Sequence, residues 1–402
     1  MKIIITTFML ILLFGANLAA QTLKEGDWRG AIVYDTEEVP FIFEVNYKDD
    51  ISKPIITIVN GKDRAEITDT KIEGDSLIFR VFAFDITIKA KIEGDKLIGT
   101  MTKHYQKGGA TFKADYGKPR FELKGSTMLE QVEPKWEITF KPGQNNAYPA
   151  LGLFEQDGNK ISGTIITETS DLRFFEGVIE GNEMILSSFD GAHAFLIKAK
   201  LSNDKWEGEM VFGNGYSEKW EGKYNPDAKI KDPLKIVTLG KNEIRPDFQK
   251  LSADGQPSIK REDYEGKVLL IQMFGTWCPN SWDQTKYLID WYAKNKEREV
   301  AVLAVNHEAN YSQEYGERRI AEYKDKLEIE YDVILGGKLS KAEAAKAFPF
   351  MDRIAAFPTL IVVDKSGYAR YVYSFFTGPA TGEYYVDFDE KLNAIVDNLI
   401  AE

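Results

Sequence analysis

Val268-Leu269-Leu270-Ile271-Gln272-Met273-Phe274, followed by Gly275-Thr276-Trp277-Cys278-Pro279-Asn280-Ser281, decides the fold of the C-terminal part of this chain. The first seven residues form an unbroken run of the kind a central strand shows when both its faces are buried. Gly275 and Thr276 turn the chain, and Trp282, Tyr287, Leu288 and Trp291 then recur at helical spacing. Cys278 therefore stands where a strand gives way to a helix. Unpaired N–H groups and the positive end of the helix dipole favour a thiolate there, so the sequence predicts a partly accessible thiol with a pKa below the ~8.5 of a free cysteine. Cys278 is also the only cysteine of 402 residues. Ser281 occupies the place of the second sulfur in a C-x-x-C motif. The setting is redox, but half of the chemistry is missing.

Around this stretch strands alternate with helices. Val268–Phe274, 300–305, 332–335, 359–363 and 368–374 read as strands; 280–296, 312–327, 340–348 and 388–401 read as helical. Such alternation predicts an α/β sheet with helices on both faces. Upstream, Asn225 to Leu234 is polar, carries two prolines and reads as a linker between 21–224 and 235–402, each expected to have its own core.

Before the linker the reading is all-β, a barrel or a sandwich. Short alternating segments such as 41–45, 55–59, 77–81 and 86–92 are separated by Asn60-Gly61, Gly74-Asp75, Gly94-Asp95, Asp157-Gly158 and Gly181-Asn182. An internal echo relates Asp27-Trp28-Arg29-Gly30 to Lys135-Trp136-Glu137-Ile138, and residues 92–101 to 201–210. It implies either one closed domain or two modules, 21–130 and 131–224. Phe189-Asp190-Gly191-Ala192-His193-Ala194-Phe195 reads as a tight hairpin between core strands.

The chain opens with Met1-Lys2, an apolar run to Phe14, and Gly15-Ala16-Asn17-Leu18-Ala19-Ala20, the pattern of a secretory signal cleaved after Ala20. No cysteine near that point offers a lipid attachment site, so a periplasmic or secreted protein is expected. The formal charge is −12, with both signs interspersed. That argues against nucleic acid or membrane insertion. His104, His193 and His307 have no metal-ligand spacing, and no metal or cofactor is implied.

The segment from about 240 to 402 resembles thioredoxin-fold proteins of the TlpA type, exported bacterial thiol–disulfide reductases. The likeness rests on Asp247-Phe248 with Asp254-Gly255-Gln256 as a leading hairpin, Gly266 to Leu270 as the first core strand, and Trp277-Cys278-Pro279 as the active-site tripeptide. Phe357-Pro358-Thr359, with Val363 to Gly367, is similar to the family's cis-proline loop and hairpin. The resemblance implies Cys278 and Ser281 at the reacting position, with Trp277, Pro279, Phe357, Pro358 and Thr359 as a peptide-binding rim. It also implies that Pro358 is cis and faces Cys278. The β-rich part resembles N-terminal regions attached to some exported proteins of this type in Bacteroidetes-like bacteria, and brings no activity with it.

A dithiol reductase needs a second thiol to resolve its mixed disulfide. Ser281 cannot do so, although it is placed to hydrogen-bond the Cys278 thiolate. Gln272 stands where many thioredoxins bury an acid. A one-cysteine peroxidase would need a proline and a threonine where Ile271 and Gly275 stand, so that chemistry is set aside. Two readings follow: mixed-disulfide chemistry with exported protein thiols or disulfides, or with a small thiol; or a non-catalytic binding module that holds an exported partner. A third, that Ser281 is an isolated or engineered loss in a normal reductase, is not separable from these by sequence.

Overall fold

The buried run 268–274 forms a strand over the same residues in a computed structural model. The structure describes residues 22–34, 37–125, 130–213, 216–240, 245–246, 248–251, 257–310 and 312–402. The expected signal segment 1–20, and Asp247 and Asp254-Gly255-Gln256 of the leading hairpin, lie outside the described residues.

The C-terminal elements are β1 (Val268–Phe274), α1 (Pro279–Asn295), β2 (Val300–Glu308), α2 (Gln313–Lys326), β3 (Asp332–Lys338), α3 (Lys341–Ala347), β4 (Thr359–Val363), β5 (Ala369–Tyr373) and α4 (Glu383–Ala401). The sheet order is β3-β2-β1-β4-β5. β1 runs parallel to β2 and antiparallel to β4. This is a thioredoxin-like fold. Ser312 and Ser340 cap α2 and α3, their hydroxyls accepting from the Tyr315 and Glu343 N–H groups.

Side chains alternate across the sheet. Val268, Leu270 and Phe274 meet Leu288 and Trp291 of α1, Ile320 and Tyr323 of α2, and Leu392 and Val396 of α4. Leu269, Ile271 and Met273 face the other way, toward Ala344 of α3 and the 354–357 segment. That second face also holds Leu151 and Ile166 of the β-rich part and Ala228 of the 225–234 segment. The cluster beneath the sheet therefore takes residues from both sides of the 225–234 segment. Each fully buried Leu or Ile contributes about 1.5–3 kcal/mol.

The β-rich part contains two meanders. Nine antiparallel strands between Gly26 and Tyr116 form one sheet, in which the first strand, 26–34, pairs with the last, 109–116. Eight strands between Lys135 and Tyr224 close into a barrel. The sequence echo marks equivalent places in the two. Trp28 pairs with Tyr116 and Trp136 with Tyr224, each as an edge-on ring contact, at 5.4 and 6.1 Å. Gly99 and Gly208 also correspond: at either, a Cβ would strike the neighbouring strand's carbonyl, Lys89 O at 2.0 Å or Lys198 O at 2.4 Å. The turn dipeptides named above all fall at hairpins. Phe189, Ala194, Leu196 and Val211 of the barrel pack into the core of the nine-stranded sheet, making the two one body.

Candidate active site

Gly275 to Cys278 link β1 to α1. Gly275 is required there because a Cβ would lie 2.1 Å from the Trp277 indole nitrogen. That indole N–H donates to His307 O at 2.9 Å, fixing the turn against the end of β2. Cys278 is the N-cap of α1 and Pro279 its first residue, where the missing N–H costs nothing.

The Cys278 thiol donates to Phe357 O at 3.5 Å, and the Phe357–Pro358 bond is cis. Trp277 meets the Phe357 ring edge-on at 6.3 Å. Thr359 Oγ1 donates to Ala356 O at 2.8 Å and holds the loop. Ser281 is fully buried one turn from Cys278; the Gly275 N–H donates to its Oγ at 3.4 Å. Gln272 Nε2 donates to Thr285 Oγ1 at 3.1 Å, tying β1 to α1. The structure thus brings Cys278, Ser281, Trp277, Pro279, Phe357, Pro358 and Thr359 to one place.

In exposure and ionisation Cys278 differs from the sequence reading. Only 5% of it is exposed. Burial pushes its pKa up, and the negative charge of Asp190 adds to this; hydrogen bonds from Ser281 and from the Asn280 N–H pull the other way and do not compensate. The helix-start argument gave the right place and the wrong direction, because burial outweighs the hydrogen bonds at the helix start.

The covering groups come from both meanders. Asn280 Nδ2 donates to Asp171 O at 3.1 Å, and the Gly378 N–H donates to Asp171 Oδ2 at 2.8 Å. Arg173 donates to both oxygens of Asp283, at 2.7 and 3.0 Å. Burial pushes the Asp283 carboxyl up to about 6, against the pull of Arg173. Burial also works against the charge on Asp190, but His193 and Arg173 outweigh it and hold that carboxyl at about 2. Residues 189–195 form the expected hairpin, with the Ala192 and His193 N–H groups donating to Asp190 Oδ1. Tyr105, from the turn between strands 96–103 and 109–116, has its phenol pushed up by burial and by the charges of Asp190 and Cys278.

On the other flank the 82–84 turn of the nine-stranded sheet sits on α1 and α2. Trp282 meets the rings of Phe82 and Phe84 edge-on. Arg319, fully buried, donates to Phe82 O at 2.7 Å and to Ala83 O at 2.9 Å. Its Nε donates to Thr276 Oγ1 at 3.2 Å, and Thr276 Oγ1 donates to Glu308 Oε1 at 2.7 Å. A polar chain therefore links the active-site turn to the β-rich part. Sequence reading missed Asp171, Arg173, Asp283, Glu308 and Arg319. Only Asp190 stood in a segment singled out beforehand.

Burial lowers the His307 pKa to about 4, below its unfolded value of about 6.5. The unfolded chain then binds the proton first, so stability falls as pH drops from about 6.5 to about 4, by up to about 3 kcal/mol. Denaturant midpoints measured across that window should show the loss, and His307→Gln should flatten it. An equally steep acid limb in His307→Gln assigns the loss elsewhere.

The model of the AhpC/TSA family matches residues 242–372. The thiol-disulfide oxidoreductase ResA of Oceanobacillus iheyensis is 33% identical over 82 residues, which cover 20% of this chain and 42% of the relative. The chain thus spans about two fifths of the length of that curated relative. Among solved structures, a thiol:disulfide interchange protein from Chlorobium tepidum is 24% identical, with 39% of this chain and 94% of that one covered at a TM-score of 0.28. A putative protein disulfide isomerase from Bacteroides thetaiotaomicron is 18% identical, with 40% and 92% covered at 0.29. The C-terminal region has a thioredoxin-like fold and is similar, over part of its length, to these proteins. Among the described residues no helix is long and apolar enough to cross a membrane.

Proposed function

We propose that this is an exported, single-thiol member of the TlpA-like group that forms mixed disulfides through Cys278 by attack on the disulfides of exported proteins. The observation that carries this reading is the thiol at the N-cap of α1, against the carbonyl before a cis proline, with Ser281 one turn on. The Cys278 thiolate attacks one sulfur of a disulfide, the Cys278–S bond forms, the old S–S bond breaks, and the departing thiolate takes up a proton. Ser281 cannot discharge the adduct. An external thiol does so, regenerating Cys278 and carrying the partner sulfur away as a new disulfide. Division at 225–234 and cleavage of the leader after Ala20 belong to this reading.

A peptide carrying one disulfide should become covalently attached to the full chain, in a form released by dithiothreitol and absent from Cys278→Ala. The covered groove favours a second reading, a non-catalytic module holding an exported partner. Non-covalent retention of the same peptide by Cys278→Ala would support that one.

Alkylation by iodoacetamide reports the thiolate. Its pH midpoint in the native chain should lie above that of an ordinary cysteine, because burial dominates. A midpoint below the ordinary value contradicts the covered site.

A further inference from the structure

Resting on the thiol reading, we propose that the barrel segment from Ser170 to Phe174 is a latch on the first turns of α1, beside Cys278, that must lift before the thiol reacts. Its grip is polar and short-range. Asp171 holds α1 through Asn280 and holds the Gly378 backbone through its carboxylate. Arg173 holds α1 through the two bonds to Asp283. The opposite flank is of a different nature: an aromatic cluster of Phe82, Phe84, Trp282 and Tyr323, with the buried Arg319 beneath it. Apolar packing of that kind holds two bodies together permanently. An ion pair with three hydrogen bonds around it exchanges for water when displaced, so the two flanks are unequal.

The backbone of the segment is strained in the way a displaceable element is. Arg173 has a φ of 56°, in the left-handed region that a long side chain rarely adopts. It is kept there by its own N–H donating to Asp171 Oδ1 at 2.8 Å and by the Asp283 pair. Conformations of this type cost on the order of 1–3 kcal/mol and persist only where surrounding contacts impose them. Release of Asp283 removes the principal restraint. Four carboxylates, those of Asp63, Asp171, Asp190 and Asp283, surround Arg173. A departing Arg173 therefore leaves repelling charges behind, and the closed arrangement depends on this one cation.

The test is the iodoacetamide rate of Cys278 in the full chain at neutral pH. Asp283→Asn and Asn280→Ala, each of which removes a side-chain contact between α1 and the segment, should raise it tenfold or more, while near-ultraviolet circular dichroism shows the chain still folded. Two variants guard against failure of one to fold. Arg80→Gln, which breaks the Arg80–Glu322 pair on the other flank, should leave the rate within about twofold. Unchanged rates in both latch variants, or an equal rise in Arg80→Gln, overturn the latch. Oxidised glutathione then separates the two claims. A fast-alkylating variant that takes up no glutathione keeps the latch and removes the mixed-disulfide function.

Discussion

Ser281→Cys should raise the rate of insulin disulfide reduction, driven by dithiothreitol, by on the order of tenfold or more. The position already lies against the active-site turn, since the Gly275 N–H reaches its side-chain oxygen at 3.4 Å and the Ser281 hydroxyl hydrogen-bonds Cys278. A sulfur placed there attacks the mixed disulfide within the molecule, at an effective concentration no external thiol matches. Combining it with Asp283→Asn should raise turnover further, because the first variant supplies the second stroke and the other uncovers the first. If Ser281→Cys forms its internal disulfide and still fails to turn over, the deficiency lies outside the missing sulfur. Gln272 would then be the residue to change first.

The largest stability effect should come from Arg319→Ala. The guanidinium is fully buried and joins α2 to two carbonyls of the nine-stranded sheet, to Thr276 beside the active site, and to Glu322. Removing one partner of a buried charged network costs about 3–5 kcal/mol, because the remaining groups stay buried without their bonds. Arg319→Lys should recover little, since a lysine cannot reach several acceptors in different directions at once. Guanidinium denaturation gives the number. A loss below about 1 kcal/mol would mean that the β-rich part does not grip the thioredoxin-like region as described.

The course of the main chain was written locally and could be read locally. β1 and β4 were legible over the same residues as they occupy, because an uninterrupted apolar run between turn residues has one physical reading. Helix α4 shows the limit. It begins at Glu383, whereas the apolar period begins at Phe388, its first fully buried residue. In the first turn Tyr384 and Tyr385 are only half-buried and Val386 is exposed, so no single buried face marks it. The closed barrel and the nine-stranded sheet were legible as β but not as one closed barrel beside one sheet, since strand order depends on which edges meet.

The site was legible as a set of residues and not as an environment. Trp277-Cys278-Pro279 and Phe357-Pro358-Thr359 do converge. What packs against the start of α1 lies more than a hundred positions away: Asp171 is 109 residues from Asn280, and Arg173 is 110 from Asp283. No local pattern distinguishes those acids and that arginine from the many solvated charges around them. Leu151 and Ile166 belong to barrel strands, yet they pack in the cluster beneath the thioredoxin-like sheet.

Intact-protein mass after exposure to oxidised glutathione, followed by removal of the excess, tests the central claim that Cys278 performs half of a disulfide exchange. The wild-type chain should carry one glutathione on Cys278, gained slowly and held until an external thiol is added, whereas Ser281→Cys should shed it unaided as its internal disulfide closes. Spontaneous loss of the adduct from the wild-type chain, or no adduct even in Asp283→Asn, would contradict it.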